Sequence, residues 1–103
     1  MLDITNESPA VQIAYQWLDA QKQTVNTNGY CEKHRIESWA GYYIDKDAVI
    51  RALQLHGLKS DAYPRANISK RVIKPLLSRI THLPETRSMA YQIGEHDYVS
   101  NEK

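Results

Sequence analysis

A chain of 103 residues, 42% apolar and 24% charged, has room for one domain with short tails and the composition of a globular rather than a disordered protein. Folding at this size buries roughly 65% of the unfolded chain's surface, enough for one modest core without staples. A net charge of +1 with a single cysteine, Cys31, excludes a polycation that grips its partner by bulk charge and excludes an internal disulfide.

Residues 1–7 read as a tail. The first helix is predicted over residues 9–23, with Ser8 as N-cap and Pro9 at the first helical position. Its apolar stripe is Ala10, Val11, Ile13, Ala14, Trp17 and Leu18. Asn28-Gly29 then marks a turn, with a brief extended piece at Tyr30 and Cys31. Residues 32–43 read as a short second helix, with Ile36, Trp39, Ala40 and Tyr43 on one face and Gly41 weakening its last turn. The third helix follows Asp45 as cap. Ala48, Val49, Ala52 and Leu53 form its stripe, Gly57 supplies the left-handed C-terminal position, and Leu58 covers the last turn.

After a polar loop over 59–66, Val72, Ile73, Leu76, Leu77 and Ile80 recur at helical spacing, which predicts a fourth helix over 68–80. Lys70, Arg71, Lys74 and Ser78 project from its other face, and Pro75 imposes a kink or break near Lys74. Pro84-Glu85-Thr86 reads as a hairpin turn. Met89, Tyr91 and Ile93 alternate with Ser88, Ala90 and Gln92, the period of a half-buried strand. Residues 95–103 are expected to fray. The predicted class is mainly α with a small β-hairpin: four helices and a two-stranded wing in one domain over residues 8–94.

Charge is unevenly placed. Residues 1–29 carry −2, residues 30–58 carry zero, residues 59–94 carry +5 and residues 95–103 carry −2. Cations thus gather on the predicted fourth helix and wing, as expected of a face that meets a polyanion. No apolar run approaches the ~20 residues of a membrane span, and the start, M-L-D-I-T-N-E, lacks the basic and apolar regions of a signal peptide. A soluble cytoplasmic protein with no membrane partner is the expectation.

Other chemistry is thinly represented. Cys31-x-x-His34, with His56 or His82, offers metal-ligand types but no second closely spaced pair, so no metal or cofactor is expected. There is no glycine-rich phosphate loop, no nucleophile elbow and no carboxylate pair on an apolar background. The expectation is a protein without enzymatic activity. Seven tyrosines, two tryptophans and no phenylalanine suit half-buried positions and interfaces.

The order of elements, with I-S-K-R-V-I-K-P-L-L-S-R-I and S-M-A-Y-Q-I-G, resembles a winged helix-turn-helix domain. That resemblance implies a small DNA-binding protein, either a transcriptional regulator or the DNA-docking component of a larger assembly. In the preferred register residues 68–80 are the recognition helix. Lys70, Arg71 and Lys74 then meet phosphates or guanine edges, Ser78 bonds the backbone, and Arg87 on the wing reaches an adjacent groove. Against this register, residues 58–67 form a connection longer than the ~3–4 residues usual between such helices.

A rival register pairs residues 32–43 with 45–56 and presents Lys46, Arg51 and Gln54. Three to five phosphate contacts imply weak binding by a monomer, hence a homodimer or a larger assembly on double-stranded DNA. The alternative is an adaptor or inhibitor that binds protein through the same scaffold without DNA. An amphipathic helix with a cationic wet face is also an ordinary route to solubility.

Overall fold

The computed structural model describes residues 3–83 and 98–103. Within them the chain runs α1 (Pro9–Asp19), β1 (Gly29–Tyr30), α2 (Lys33–Ala40), α3 (Lys46–His56), β2 (Arg65–Ala66), β3 (Ile73–Lys74) and β4 (Ser100–Asn101), with a 3-10 turn at Leu77–Arg79. The architecture is mixed α/β: three helices, an antiparallel β1–β2 pair and a parallel β3–β4 pair.

Helix α1 starts where Ser8 and Pro9 place it. The Ser8 hydroxyl oxygen accepts from the Val11 N–H at 3.4 Å, satisfying one of the donors left open at a helix start. Val11, Ile13, Ala14, Trp17 and Leu18 are buried, and the helix packs chiefly against α3. It ends at Asp19 rather than at residue 23. The segment beyond is drawn off by long-range bonds. Gln21 exchanges two hydrogen bonds of 2.8 Å with the backbone of Ile73, and the Lys22 carbonyl accepts from the Ser69 N–H at 2.8 Å.

Helix α2 is shorter than its pattern suggested because Gly41, at φ 67°, turns the chain into the left-handed region. Ile36, Trp39 and Ala40 are buried as expected, whereas Tyr43 leaves the helical face and stands 61% exposed. Helix α3 follows its punctuation closely. Asp45 Oδ1 accepts from the Ala48 N–H at 3.1 Å, and Gly57 closes the helix at φ 78°. Its stripe of Ala48, Val49, Ala52 and Leu53 is buried. No helix among the described residues is long and apolar enough to cross a membrane.

The predicted fourth helix over 68–80 does not form, and with it the preferred recognition helix is lost. The backbone there is claimed by partners far along the chain. Thr24 N–H donates to the Asn67 carbonyl at 2.8 Å, and Gln23 bridges Ile68 in antiparallel fashion. The Asn67 side chain, 2% exposed, accepts from the Lys59 N–H at 2.8 Å. Ile68, Val72 and Ile80 are buried, Ile73 and Leu77 are partly covered, and Leu76 is exposed. Pro75 has no N–H to give a helix, and its carbonyl instead accepts from the buried Trp39 indole at 2.9 Å.

The predicted wing, including Arg87 and the Met89–Ile93 alternation, lies outside the described residues, apart from the turn at 81–82. Residues 98–103, read from sequence as part of a frayed tail, are tied to the body by hydrogen bonds. Ser100 and Asn101 lie beside Ile73 and Lys74 in parallel register, and the Tyr98 hydroxyl accepts from the buried Trp17 indole at 2.9 Å.

Candidate nucleic-acid interface

The three cations and the hydroxyl expected on one helical face are divided. Lys70 and Arg71 stay together, exposed at a bend between Ile68 and β3. The bend is fixed locally, with Arg71 N–H donating to the Ser69 hydroxyl oxygen at 3.1 Å. Lys74 lies half-buried on β3, where its carbonyl accepts from the Glu102 N–H at 2.9 Å. Ser78 is exposed in the 3-10 turn, and its carbonyl accepts from the Thr81 hydroxyl at 3.2 Å. The structure therefore keeps one pair of the predicted set and separates Lys74 and Ser78 from it. Arg87 is outside the described residues.

Lys70 and Arg71 border an open groove of about 360 Å³, whose opposite wall is the loop after α1. Thr24, Asn26, Asn28 and Ser69 contribute hydroxyl and amide groups to it, and Val25, 87% exposed, sits at its edge. Gly29 allows the two walls to approach. A Cβ at that position would stand 2.2 Å from the Ile68 carbonyl oxygen, so no other residue fits without moving backbone. The Lys22 carbonyl accepts from the Ser69 N–H, which ties the loop after α1 to the segment that carries Lys70 and Arg71. Sequence reading passed over Lys22 and the Thr24–Asn28 loop because the contact joins residues more than 40 positions apart. The one local signal was the polar run T-V-N-T-N-G.

What distinguishes Arg71 is that no carboxylate among the described residues pairs with it. Arg51 is paired with Glu7 at 3.0 Å, Arg65 with Asp61 at 2.6 Å, and Arg79 with both Asp19 and Glu102. Arg35 lies 5.8 Å over the Tyr98 ring. Among the described residues neither Arg71 nor Lys70 has an ion-pair partner.

The rival face fares differently. Lys46 and Gln54 are exposed on α3. Arg51 is tied to Glu7 through both Nε and Nη2, at 3.4 and 3.0 Å, and that bonded carboxylate raises the Arg51 pKa further. Asp45 and Asp47 stand at the start of the same helix. Gln54 borders a hollow of about 310 Å³ that also holds Asp61. This face presents neutralised charge.

The metal-ligand types are likewise dispersed. Cys31 is fully buried, its thiol donating to the Pro64 carbonyl at 3.2 Å, and burial pushes its pKa up to about 12. His34 is exposed beside Glu32 at 3.0 Å, and His56 contacts Asp19 at 2.9 Å. Among the described residues no three His, Cys, Asp or Glu side chains gather in a metal-binding group.

A second polar cluster had no sequence signal at all. Arg79 joins Asp19 at the end of α1, Gln16 one turn earlier, and Glu102. Asp19, Gln16 and Arg79 also line a cleft of about 490 Å³ with Tyr15 and His82. No protein-family model matches the sequence, and no curated protein or solved structure is significantly similar to it.

Proposed function

We propose that this protein binds nucleic acid through backbone phosphates, with double-stranded DNA as its target. It would act in the cytoplasm as a small regulator or as the DNA-docking component of a larger assembly. The observation that carries this reading is the exposed Arg71 guanidinium, without a carboxylate partner among the described residues, next to Lys70 on the rim of a groove lined by amide and hydroxyl groups. A free guanidinium offers two parallel N–H donors that match phosphate geometry. Neutral donors such as Asn26, Asn28 and Ser69 are the groups that commonly complete a phosphate contact. Contacts to phosphates hold and orient the duplex and carry no sequence information of their own.

Lys70 and Arg71 together imply a log–log salt dependence of about −2, at roughly −0.9 per phosphate. Fluorescence anisotropy with a labelled random duplex at two salt concentrations tests this. Binding at low salt should weaken with that slope. Lys70→Glu with Arg71→Glu should reduce affinity more than about tenfold, whereas Lys46→Glu with Arg51→Glu should not. Absence of binding at low salt, or binding indifferent to salt, overturns the reading.

The second reading, a protein-binding adaptor or inhibitor, is favoured by the exposure of Tyr30 and Tyr43, 52% and 61%, since tyrosine is enriched where proteins meet. Lys33 lies 5.9 Å over the Tyr43 ring and holds it presented. Loss of partner capture on Tyr43→Ala, with DNA affinity unchanged, would select this reading.

A further inference from the structure

Gln12, in the first turn of α1, is only 7% exposed, deep for a side chain that carries both donors and an acceptor. Its amide is fixed by the chain ahead of the helix. Nε2 donates to the Glu7 carbonyl at 2.8 Å and to the Thr5 carbonyl at 3.5 Å. Two carbonyls must face the nitrogen, so the oxygen is turned away from them. Oε1 accepts no hydrogen bond among the described residues, yet it is not sealed in. The one enclosed side-chain nitrogen or oxygen there without a partner is His56 Nδ1. Gln12 lines the cleft of about 490 Å³ beside α1, and the unused acceptor opens there.

Fixed charge along this cleft is negative. The Thr5 N–H and hydroxyl donate to Asp3 Oδ1 at 2.9 and 2.7 Å and hold its carboxyl below the usual range. No cation among the described residues pairs with Asp3. Asp19 has Arg79 as its cation but shares it with Glu102. Two carboxylates on one guanidinium leave one negative charge over, and Asp3 adds a second. Arg79 also borders the cleft, but its Nε, Nη1 and Nη2 are all engaged by Glu102, Asp19 and Gln16, so it offers little to an anion. Buried Ile4 and the Tyr15 ring, packed on His56 at 4.9 Å between centroids, supply apolar wall. The volume is that of a small-molecule site.

We propose that this cleft binds a small organic cation, an alkylammonium or alkylguanidinium. Its N–H donors meet Gln12 Oε1 and the Asp3 and Asp19 carboxylates, and its carbon chain lies on Ile4 and Tyr15. Charge-assisted donors answer the unused acceptors, and an aromatic ring alongside adds its own attraction for a cation. The cleft shares no residue with the Lys70–Arg71 groove, so its occupancy is independent of whether that groove binds nucleic acid.

Butylguanidinium and butylurea are a matched pair of probes, alike in size and shape but different in charge. Each is titrated at constant ionic strength into the isotope-labelled full chain, read by NMR at the Gln12 side-chain amide and the backbone amides of Tyr15 and Gln16. His82 also lines the cleft and is exposed, so the titration runs at about pH 7.5, above the ordinary imidazole range. Butylguanidinium should produce saturable shifts at these amides, with a dissociation constant on the order of 1 mM for so small a ligand. Butylurea should bind about tenfold more weakly, since its donors carry no charge.

Gln12→Met removes the acceptor at equal length and should weaken butylguanidinium about tenfold. Asp3→Asn should weaken it about two- to fivefold, the range of an exposed ion pair. The asparagine keeps an oxygen for the Thr5 donors and sits on the surface, so it carries the test if Gln12→Met does not fold. Absence of saturable shifts, butylurea binding as tightly as butylguanidinium, or an unchanged affinity in either folded variant overturns the proposal.

Discussion

Asn67 and Gly29 show how single residues decide the path of the segment that sequence periodicity assigned to a helix. Asn67 is buried and makes three bonds to two stretches of backbone: its N–H donates to the Lys59 carbonyl, its carbonyl accepts from the Thr24 N–H, and its side chain accepts from the Lys59 N–H. Asn67→Leu removes only the side-chain bond and leaves the Lys59 N–H unpaired, at a cost of about 1–3 kcal/mol. Urea unfolding should show that loss as a lower midpoint with an unchanged slope. Gly29→Ala forces a Cβ into the Ile68 backbone and should cost about 1–3 kcal/mol by overpacking, read by the same titration. Gly57→Ala meets no neighbouring atom, so its penalty is the left-handed backbone alone, about 1 kcal/mol. Neither Asn67 nor Gly29 announces these roles locally, because what they touch lies far along the chain.

Capping and amphipathic stripes made α1 and α3 legible from their own residues. Ser8, Pro9, Asp45 and Gly57 all act where the sequence placed them. The segment over 68–80 was misread for a physical reason. Its spacing of Val72, Ile73, Leu76, Leu77 and Ile80 satisfies a helical stripe, but three of those five are exposed or only partly buried in the extended path. The deciding terms were Gln21 bonding Ile73, Thr24 bonding Asn67 and Pro75 lacking a donor. The candidate site changed accordingly: Lys70 and Arg71 remained a pair, while the wall opposite them came from a loop about 45 residues earlier. Gln21→Ala should test the tertiary tie. It leaves the Ile73 N–H and carbonyl unsatisfied and should lower stability by about 2 kcal/mol, with amide exchange at Ile73 accelerating more than exchange in α3.

At the scale of the molecule, Arg79 links the end of α1 to the end of the described chain. The Arg79 bond, with the Leu76 N–H, holds the Glu102 carboxyl below its usual range. Asp19 is lowered as well: burial opposes its ionisation, but bonds from Arg79 and His56 outweigh burial. Both carboxyls have depressed folded-state values, so the unfolded chain binds their protons first. Their contribution is complete above the ordinary carboxylate range near pH 4 and is lost as pH falls through the lowered values. Melting temperature should therefore drop below about pH 4, and the drop should flatten in Glu102→Gln.

The buried thiol of Cys31 reports on opening of the folded chain. With its sulfur sealed against the Pro64 carbonyl and its pKa at about 12, almost no thiolate is available to an alkylating reagent while the protein is folded. Labelling must wait for the chain to open, so the lone sulfur acts as an internal clock on native-state opening. If Arg79 and Glu102 close the molecule as their geometry indicates, labelling of the wild-type protein should be slow at neutral pH and quicken as pH falls below about 4, after correction for the reagent's own pH dependence.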